Sequence, residues 1–274
     1  MHCWRCLLLL GAILISACNP AGPIAAITTP TDMPVSQKLT IYAAASLTEA
    51  FQEIGAIFEA EHPGVAVIFN FAGSQQLVQQ LALGAPADVF ASADLQPIQA
   101  AVEAGVVSQD DIAALVKNHL AIIYPHENLA SLRVIQDLAK PGVKLVLAAN
   151  EVPAGKYALQ FLDNASQDSS FSLDFKRRVL TNVVSYEENV RAVLSKVLLD
   201  EADAGIVYTS DIAGLKGDKI GTLEIPERLN VTASYFIAPL RSGAYADLAK
   251  SFIELVRSTE GQAILMKYGF IPIQ

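Results

Sequence analysis

Cysteine, histidine and basic residues are scarce in this 274-residue sequence, and each shortage excludes a class of function. The three cysteines, Cys3, Cys6 and Cys18, lie near the N-terminus, so the rest of the chain has no disulfide, thiolate metal site or cysteine nucleophile. Lysine and arginine total 19 against 28 acidic residues, a formal net charge of -9. Nucleic acid is therefore not an expected partner, because phosphate backbones are bound by basic surfaces.

Sequence motifs of common enzymes are also missing. There is no Gly-x-Ser-x-Gly, Walker loop, Gly-x-Gly-x-x-Gly or His-Glu-x-x-His. The later histidines, His62, His119 and His126, lack the spacing of metal ligands. We therefore predict no enzyme activity, no catalytic residue and no cofactor. A serine hydrolase using Ser46 is a distant alternative, and it would need a base that the sequence does not provide.

The N-terminus has the features of an export signal. Arg5 precedes an apolar run, Leu7–Ala17, that is shorter than the about 20 residues a membrane-spanning helix needs. The segment Ile15-Ser-Ala-Cys18 resembles the bacterial lipobox, in which the cysteine is lipidated after cleavage just before it. We predict a signal peptide and a lipid anchor at Cys18, which would attach the exported protein to the cell membrane. The alternative is an ordinary signal peptide with a chance cysteine.

From Leu39 onward, short apolar runs alternate with segments of helical periodicity. This alternation predicts an α/β protein with mainly parallel sheets flanked by helices. The stretches Ala87–Asp94 and Ala202–Asp211 resemble each other, as two lobes of similar plan would, with a ligand cleft between them. The predicted parts are 1–17 (signal peptide), 18–38 (lipidated cysteine and flexible proline-rich tether), 39–120 plus 236–274 (lobe 1) and 121–235 (lobe 2).

Two strand-to-helix turns place serines where a ligand could bind. In Ala43-Ala-Ala-Ser46-Leu-Thr-Glu49 and Phe71-Ala-Gly-Ser74-Gln75, a strand gives way to small residues, a serine and a helix start. Each start offers free N–H groups and the positive end of a helix dipole, so an anion can bind there without a cationic side chain. The simpler alternative is a helix cap, because Ser46 and Glu49 have capping-box spacing.

Three more segments extend this pattern. The segment Val152-Pro-Ala154-Gly-Lys156 opens a third helix, and the capping-box spacing of Ser185 and Glu188 predicts the start of a fourth. Tyr208 ends a strand and could direct its hydroxyl into the cleft. A plain helix start, a cap and a half-buried tyrosine are the simpler alternatives.

Five segments, in this order, resemble the periplasmic molybdate-binding proteins of ABC transporters, and the resemblance covers nearly everything from Leu39 to Gln274. The segments are Ala43–Thr48, Gly84–Asp94, Val152–Ala158, Gly205–Asp211 and Lys267–Phe270. The resemblance implies a type II periplasmic-binding-protein fold, and a monomer that captures molybdate or tungstate and delivers it to a transporter permease.

The resemblance also implies which groups hold the oxyanion: the side chains of Ser46, Ser74 and Tyr208, and the backbone amides of Ala154 and Val190. All of them are donors, so the metal would be bound only as its oxyanion, without direct metal ligands. A pocket of donors alone would reject hydrogen phosphate, since each donor facing its proton costs about 1–3 kcal/mol.

Two other functions share parts of this pattern. Sulfate, thiosulfate or another small oxyanion could replace molybdate as the ligand of the same pocket. The effector domain of a transcription regulator shares the two-lobed plan, but it would require a helix-turn-helix ahead of Leu39, where this chain has a signal peptide and tether.

Overall fold

The structure is a computed structural model that describes residues 37–213, 215 and 219–273. The predicted signal peptide, the lipidation of Cys18 and nearly all of the tether lie outside these residues. Among the described residues, two sheets are flanked by helices, which confirms the predicted α/β class. The strands are β1 (Gln37–Ala44), β2 (Val65–Ala72), β3 (Val89–Ser92), β4 (Ala113–Asn118), β5 (Leu120–Pro125), β6 (Leu145–Ala148), β7 (Val183–Glu187), β8 (Ala204–Tyr208), β9 (Ile220–Leu223), β10 (Ala233–Pro239) and β11 (Ile271–Pro272).

The helices cover both faces of these sheets and include most of the segments with helical periodicity. They are α1 (Thr48–Glu61), α2 (Ser74–Ala82), α3 (Leu95–Glu103), α4 (Pro153–Gln167), α5 (Phe175–Thr181), α6 (Val190–Leu198), α7 (Thr209–Ala213), α8 (Ala246–Arg257) and α9 (Thr259–Lys267).

Both sheets are mixed, which corrects the prediction of mainly parallel sheets: three of the five strand pairings in the first sheet and two of the four in the second are antiparallel. The first sheet has the order β11-β4-β10-β3-β1-β2, and only β10 and β11 run against the other strands. The second has the order β7-β6-β8-β5-β9, and only β5 runs against its neighbours. Strand β5 is the first strand after the chain passes from the first sheet to the second, and β10 is the first strand after it returns.

The chain passes between the two sheets twice. Strand β4 ends at Asn118 in the first sheet and β5 begins at Leu120 in the second, so only His119 separates them. The return lies between β9, which ends at Leu223, and β10, which begins at Ala233. The lobe limits given above stay a prediction; the limit at 235/236 falls inside β10 (Ala233–Pro239) of the first sheet.

The two similar sequence stretches make the same contacts in the two sheets. Asp88 Oδ2 accepts the backbone N–H of Thr40 at 2.8 Å, and Asp203 Oδ2 accepts that of Lys144 at 2.8 Å. In both places the aspartate directly precedes a buried strand and accepts a backbone N–H from the neighbouring parallel strand, at Thr40 within β1, or from the residue just before that strand, at Lys144 before β6. The two sheets therefore repeat one local plan at these stretches.

Apolar periodicity explains how α1 is held against the first sheet. The predicted stripe Leu47, Phe51, Ile54 and Phe58 is fully buried, each residue with 0% exposure. The rings of Phe51 and Phe58 pack edge-on against Phe252 of α8, with centroids 5.8 Å and 5.5 Å away. Each such buried side chain contributes about 1.5–3 kcal/mol relative to exposure, so this helix provides a firm base for the turn that precedes it.

Candidate functional site

A small cavity lies where several helix starts meet between the two sheets. The volume open to the centre of a water-sized sphere is about 20 Å³. By the same measure, one water molecule requires about 10–15 Å³. This space suits an ion of a few atoms and excludes a sugar. None of its lining residues carries a charged side chain; they are Ala44, Ala45, Ser46, Ala72, Gly73, Ser74, Ala93, Val152, Pro153, Ala154, Asn189, Val190 and Tyr208.

All five predicted site residues line this one cavity: Ser46, Ser74, Ala154, Val190 and Tyr208. They come from two sheets and from segments up to 162 positions apart in sequence, since 208 − 46 = 162. The structure thus brings the predicted donors together. Their role toward a ligand is taken up under the proposed function.

Ser46 is not a helix cap. It lies in a short 3-10 turn, Ala45–Leu47, and α1 begins only at Thr48, without a side-chain cap. The predicted partner Glu49 instead pairs with Arg191 of α6. The Ser46 hydroxyl is 2.8 Å from the Tyr235 hydroxyl, and the serine is 4% exposed. The capping-box alternative is therefore wrong, and Ser46 is held by a contact from a distant strand.

Ser74 is the first residue of α2 and follows Gly73, whose backbone is extended. Its Oγ accepts the backbone N–H of Ala93 at 3.1 Å, and the residue is 1% exposed. A hydroxyl that already accepts this N–H keeps its own proton free to donate. Ser74 therefore presents a hydrogen-bond donor at the cavity.

Ala154 contributes its backbone rather than its side chain. Helix α4 begins at Pro153, so the N–H of Ala154 lies in the first turn and has no intrahelical acceptor. The next residue must be glycine, because a Cβ on Gly155 would lie 2.1 Å from the carbonyl oxygen of Ala149. This close approach brings the start of α4 against the end of β6 and so places the Ala154 amide.

Val190 is the first residue of α6, and here the sequence prediction was partly wrong. The helix begins at Val190 rather than near Ser185, and its cap is Asn189, whose side chain accepts the N–H of Ala192 at 3.0 Å. Ser185 lies inside β7, because pairing with β6 overrides the local capping signal. Asn189 also lines the cavity and was missed, although asparagine is among the preferred N-cap residues.

Tyr208 ends β8 and is 1% exposed. Its hydroxyl has no hydrogen-bond partner among the described residues. Burial, followed by the nearby Tyr235, raises the pKa of Tyr208 well above its ordinary value, so the hydroxyl keeps its proton. A buried tyrosine hydroxyl without a protein partner, at the wall of a cavity, is available to donate to a ligand.

Asp211 is the nearest buried charge to Tyr208, and it does not line the cavity. Its Oδ2 accepts the Tyr208 N–H at 2.9 Å, and its Oδ1 lies 3.8 Å from Arg191 Nη1. Burial raises its pKa from 3.8 to about 6, while Arg191 and the Tyr208 N–H act in the opposite direction. Folding therefore makes the charged form of Asp211 less favourable than it is in the unfolded chain.

This pKa predicts that acid stabilises the fold through Asp211. Between the ordinary pKa of 3.8 and the folded value of about 6, the folded protein holds a proton that the unfolded chain has released. The unfolding free energy should therefore rise as pH falls through about 6, by about 1 kcal/mol from pH 7 to pH 5. Urea unfolding at both pH values should show this gain reduced in Asp211→Asn and kept in a control, Asp111→Asn, at an exposed aspartate. An identical pH slope in wild type and Asp211→Asn would contradict the assignment.

Polar contacts join the two sheets' helices beside the cavity. Lys156 Nζ of α4 lies 2.5 Å from Asp94 Oδ2, which follows β3. Gln75 of α2 donates to the carbonyl oxygen of Glu188 at 2.9 Å. These contacts involve neighbours in sequence of lining residues, so the cavity is bounded by elements of both sheets held against each other.

Two α/β halves joined by two crossings, with a small cavity between them lined by helix starts, define a two-lobed solute-binding protein. Residues 39–271 match the model of the family described as bacterial extracellular solute-binding protein. The chain belongs to that family. It is a family of binding proteins, which confirms the prediction of a protein that is not an enzyme.

The chain is also similar to individual proteins of known name and to solved structures. The chain is 34% identical over 265 residues to the molybdate-binding protein ModA of Mycobacterium tuberculosis, covering 96% of this chain and 95% of ModA. The periplasmic molybdate-binding protein of Azotobacter vinelandii has a similar fold, with a TM-score of 0.74, 18% identity and coverage of 86% and 100%. The sulfate-binding protein SubI of Mycobacterium tuberculosis also has a similar fold, with a TM-score of 0.76, 18% identity and coverage of 87% of this chain and 88% of SubI. These two structures support the type II fold alone.

No helix within the described residues has the length and apolarity to cross a membrane.

Proposed function

We propose that this protein binds molybdate or tungstate outside the cytoplasm, as a monomer without a cofactor, and delivers it to the permease of an ABC transporter. The observation that carries the proposal is the cavity in which five hydrogen-bond donors meet without a charged side chain. The three steps of the argument concern charge, size and protonation.

Groups close to the cavity, rather than the net charge of the whole molecule, decide whether an anion can bind there. The formal net charge of -9 disfavours an anion at long range, but it is screened over about 8 Å at physiological ionic strength. Inside the cavity, the starts of α2, α4 and α6 each contribute roughly half a positive charge and free N–H groups. Together with the hydroxyls of Ser46, Ser74 and Tyr208, they suit a dianion better than a neutral solute.

Size and protonation select among anions. A space of about 20 Å³ for atom centres accommodates a tetrahedral oxyanion and little more. No carboxylate lines it, so an anion that keeps a proton, such as hydrogen phosphate, would set donor against donor at about 1–3 kcal/mol. Molybdate, tungstate and sulfate carry no proton at neutral pH and avoid this penalty.

We favour molybdate over sulfate as the ligand because the relative of highest identity among those described above is a molybdate-binding protein. The similarity extends over nearly the whole length of that relative. Sulfate, thiosulfate or another small oxyanion is the second candidate, favoured by the similar fold of the sulfate-binding protein. The same donors would serve either anion, so the difference must come from the radius of the cavity.

Calorimetric titration of the purified protein with molybdate, tungstate, sulfate and phosphate tests the proposal. We expect tight binding of molybdate and tungstate, weaker binding of sulfate and the weakest binding of phosphate, and a melting temperature that rises with molybdate concentration by mass action. Equal affinity for sulfate would refute the specificity. Absence of binding by all four anions would refute the function.

Location is the remaining part of the proposal. We propose that Cys18 is lipidated after removal of residues 1–17 and that residues 18–38 tether the binding domain to the membrane. Replacing Cys18 with serine should move the protein from the membrane fraction to the soluble fraction, as measured by immunoblotting after cell fractionation. Cys6→Ser, which changes a cysteine inside the predicted signal peptide, should leave it in the membrane fraction. A Cys18→Ser protein that remains with the membrane would count against the anchor.

A further inference from the structure

A buried polar network lies behind Ser46, on the side away from the cavity. The Tyr235 hydroxyl of β10 is 2.8 Å from Ser46 Oγ and 3.4 Å from Asn118 Nδ2. The same Asn118 Nδ2 donates to Ser210 Oγ at 2.8 Å. Tyr235 and Asn118 are fully buried, with 0% exposure each. Neither residue lines the cavity, and among the described residues Ser46 is the one lining residue to which the Tyr235 hydroxyl is hydrogen-bonded.

The direction of these hydrogen bonds is fixed by a backbone amide. Asn118 Oδ1 accepts the N–H of His119 at 3.0 Å and the hydroxyl of Thr209 at 2.8 Å. Because a backbone N–H can only donate, the oxygen of the Asn118 amide must face His119, and its nitrogen must face Tyr235. The Tyr235 oxygen therefore meets a donor on that side, and the acceptor left for its own proton is Ser46 Oγ.

The Tyr235 proton stays in place across the physiological pH range. Burial, together with the charge of Asp211, raises the pKa of Tyr235 well above its ordinary value, and the bonds to Ser46 and Asn118 only partly oppose this. Ser46 Oγ consequently accepts from Tyr235 and must turn its own proton elsewhere. The cavity that Ser46 lines is where that proton is needed.

We propose that Tyr235, oriented by Asn118, is a specificity-determining positioning residue that directs the proton of Ser46 toward the bound oxyanion and so makes Ser46 a hydrogen-bond donor there. This inference rests on the proposed function, since it concerns how the same pocket rejects protonated anions. Ser74 is fixed as a donor in an equivalent way by the N–H of Ala93. Without the Tyr235 hydroxyl, Ser46 could rotate and accept the proton of hydrogen phosphate.

Tyr235→Phe tests this directly. Phenylalanine keeps the ring contacts with Tyr208 and Phe270, whose centroids lie 5.9 Å and 5.5 Å away, so the variant should fold. We expect molybdate affinity to fall about 3- to 10-fold, as for one neutral hydrogen bond, while affinity for inorganic phosphate stays or rises. The ratio of molybdate affinity to phosphate affinity, measured by competition titration at one pH, should therefore fall by at least about 3-fold.

Two controls separate this role from a merely structural one. Tyr268→Phe removes a tyrosine hydroxyl that donates to Glu53 at 2.8 Å outside the cavity, and it should leave the affinity ratio unchanged. In a Ser46→Ala background, Tyr235→Phe should have no further effect on the ratio, because Tyr235 acts through Ser46.

The outcomes also distinguish this inference from the proposed function. A wild-type protein that binds molybdate, together with a Tyr235→Phe variant that is less stable but keeps the wild-type ratio, would overturn the inference and leave the function standing. An effect of equal size in the Ser46→Ala background would also overturn it. A wild-type protein that binds no oxyanion would refute the function itself, before any variant is compared.

Discussion

Replacing Ser74 with alanine is expected to weaken molybdate binding by about 10- to 150-fold. The hydroxyl is a donor to a charged ligand, and such a hydrogen bond contributes about 1.5–3 kcal/mol. The same change leaves the N–H of Ala93, which Ser74 Oγ accepts at 3.1 Å, without that acceptor. We therefore expect the ligand-free variant to lose about 1–3 kcal/mol of unfolding free energy as well.

Ser258→Ala is a matched control for this variant. Ser258 Oγ accepts the N–H of Gly261 at 3.2 Å as the cap of α9, far from the cavity lining. Its loss should lower the stability by about 0.5–2 kcal/mol and leave molybdate affinity unchanged. Calorimetric titration and urea unfolding of both variants separate the two effects. An affinity loss below about threefold for Ser74→Ala, and likewise for Ser46→Ala, would contradict the site.

Local sequence pattern was enough to find the elements that meet at the cavity. The small residues before Ser46 and Ser74, and the proline and glycine on either side of Ala154, are features of helix starts that depend only on neighbouring residues. The alternation of strands and helices then predicts that such starts gather at one edge of each sheet. This is why the fold class and these helix starts could be predicted from sequence pattern, whereas the full set of donors, Val190 among them, was implied by the resemblance to periplasmic molybdate-binding proteins.

Contacts between distant segments could not be predicted in this way. Ser46 and Tyr235 are 189 positions apart, and no local signal connects them. Glu49 has the spacing of a capping residue for Ser46, yet it pairs with Arg191, which is 142 positions away. The start of α6 was misplaced for the same reason, since strand pairing of Ser185 decided against its local capping signal. Tertiary packing, rather than propensity, determines these features.

Strand β4 shows the same limit in the fold. Its sequence, Ala113–Asn118, has a short apolar run, Ala113–Val116, which mixes buried and exposed side chains and is followed by the exposed Lys117 and the buried polar Asn118. It becomes a strand because it pairs with β10 and β11 on its two sides. Asn118 is also the residue that orients Tyr235, so the segment least evident in the sequence supports the site.

Replacing Tyr208 with phenylalanine is expected to separate affinity from stability. The variant loses a donor to a charged ligand, so molybdate affinity should fall by about 10- to 150-fold. The hydroxyl has no partner among the described residues, and so no protein hydrogen bond is lost with it. Phenylalanine retains the edge-on contact with Tyr235, at a centroid distance of 5.9 Å. The unfolding free energy of the ligand-free protein should therefore change by less than about 1 kcal/mol, or rise.

This combination distinguishes a ligand-binding hydroxyl from a structural one. Calorimetric titration gives the affinity, and urea unfolding without ligand gives the stability of the same preparation. Tyr268→Phe serves as the control with the opposite expectation, because its hydroxyl bonds Glu53 and takes no part in the cavity. If Tyr208→Phe lost stability as Ser74→Ala does and kept its affinity, the hydroxyl would have a protein or solvent partner instead of a ligand. The mechanism would then have to rely on Ser46, Ser74 and the helix starts alone.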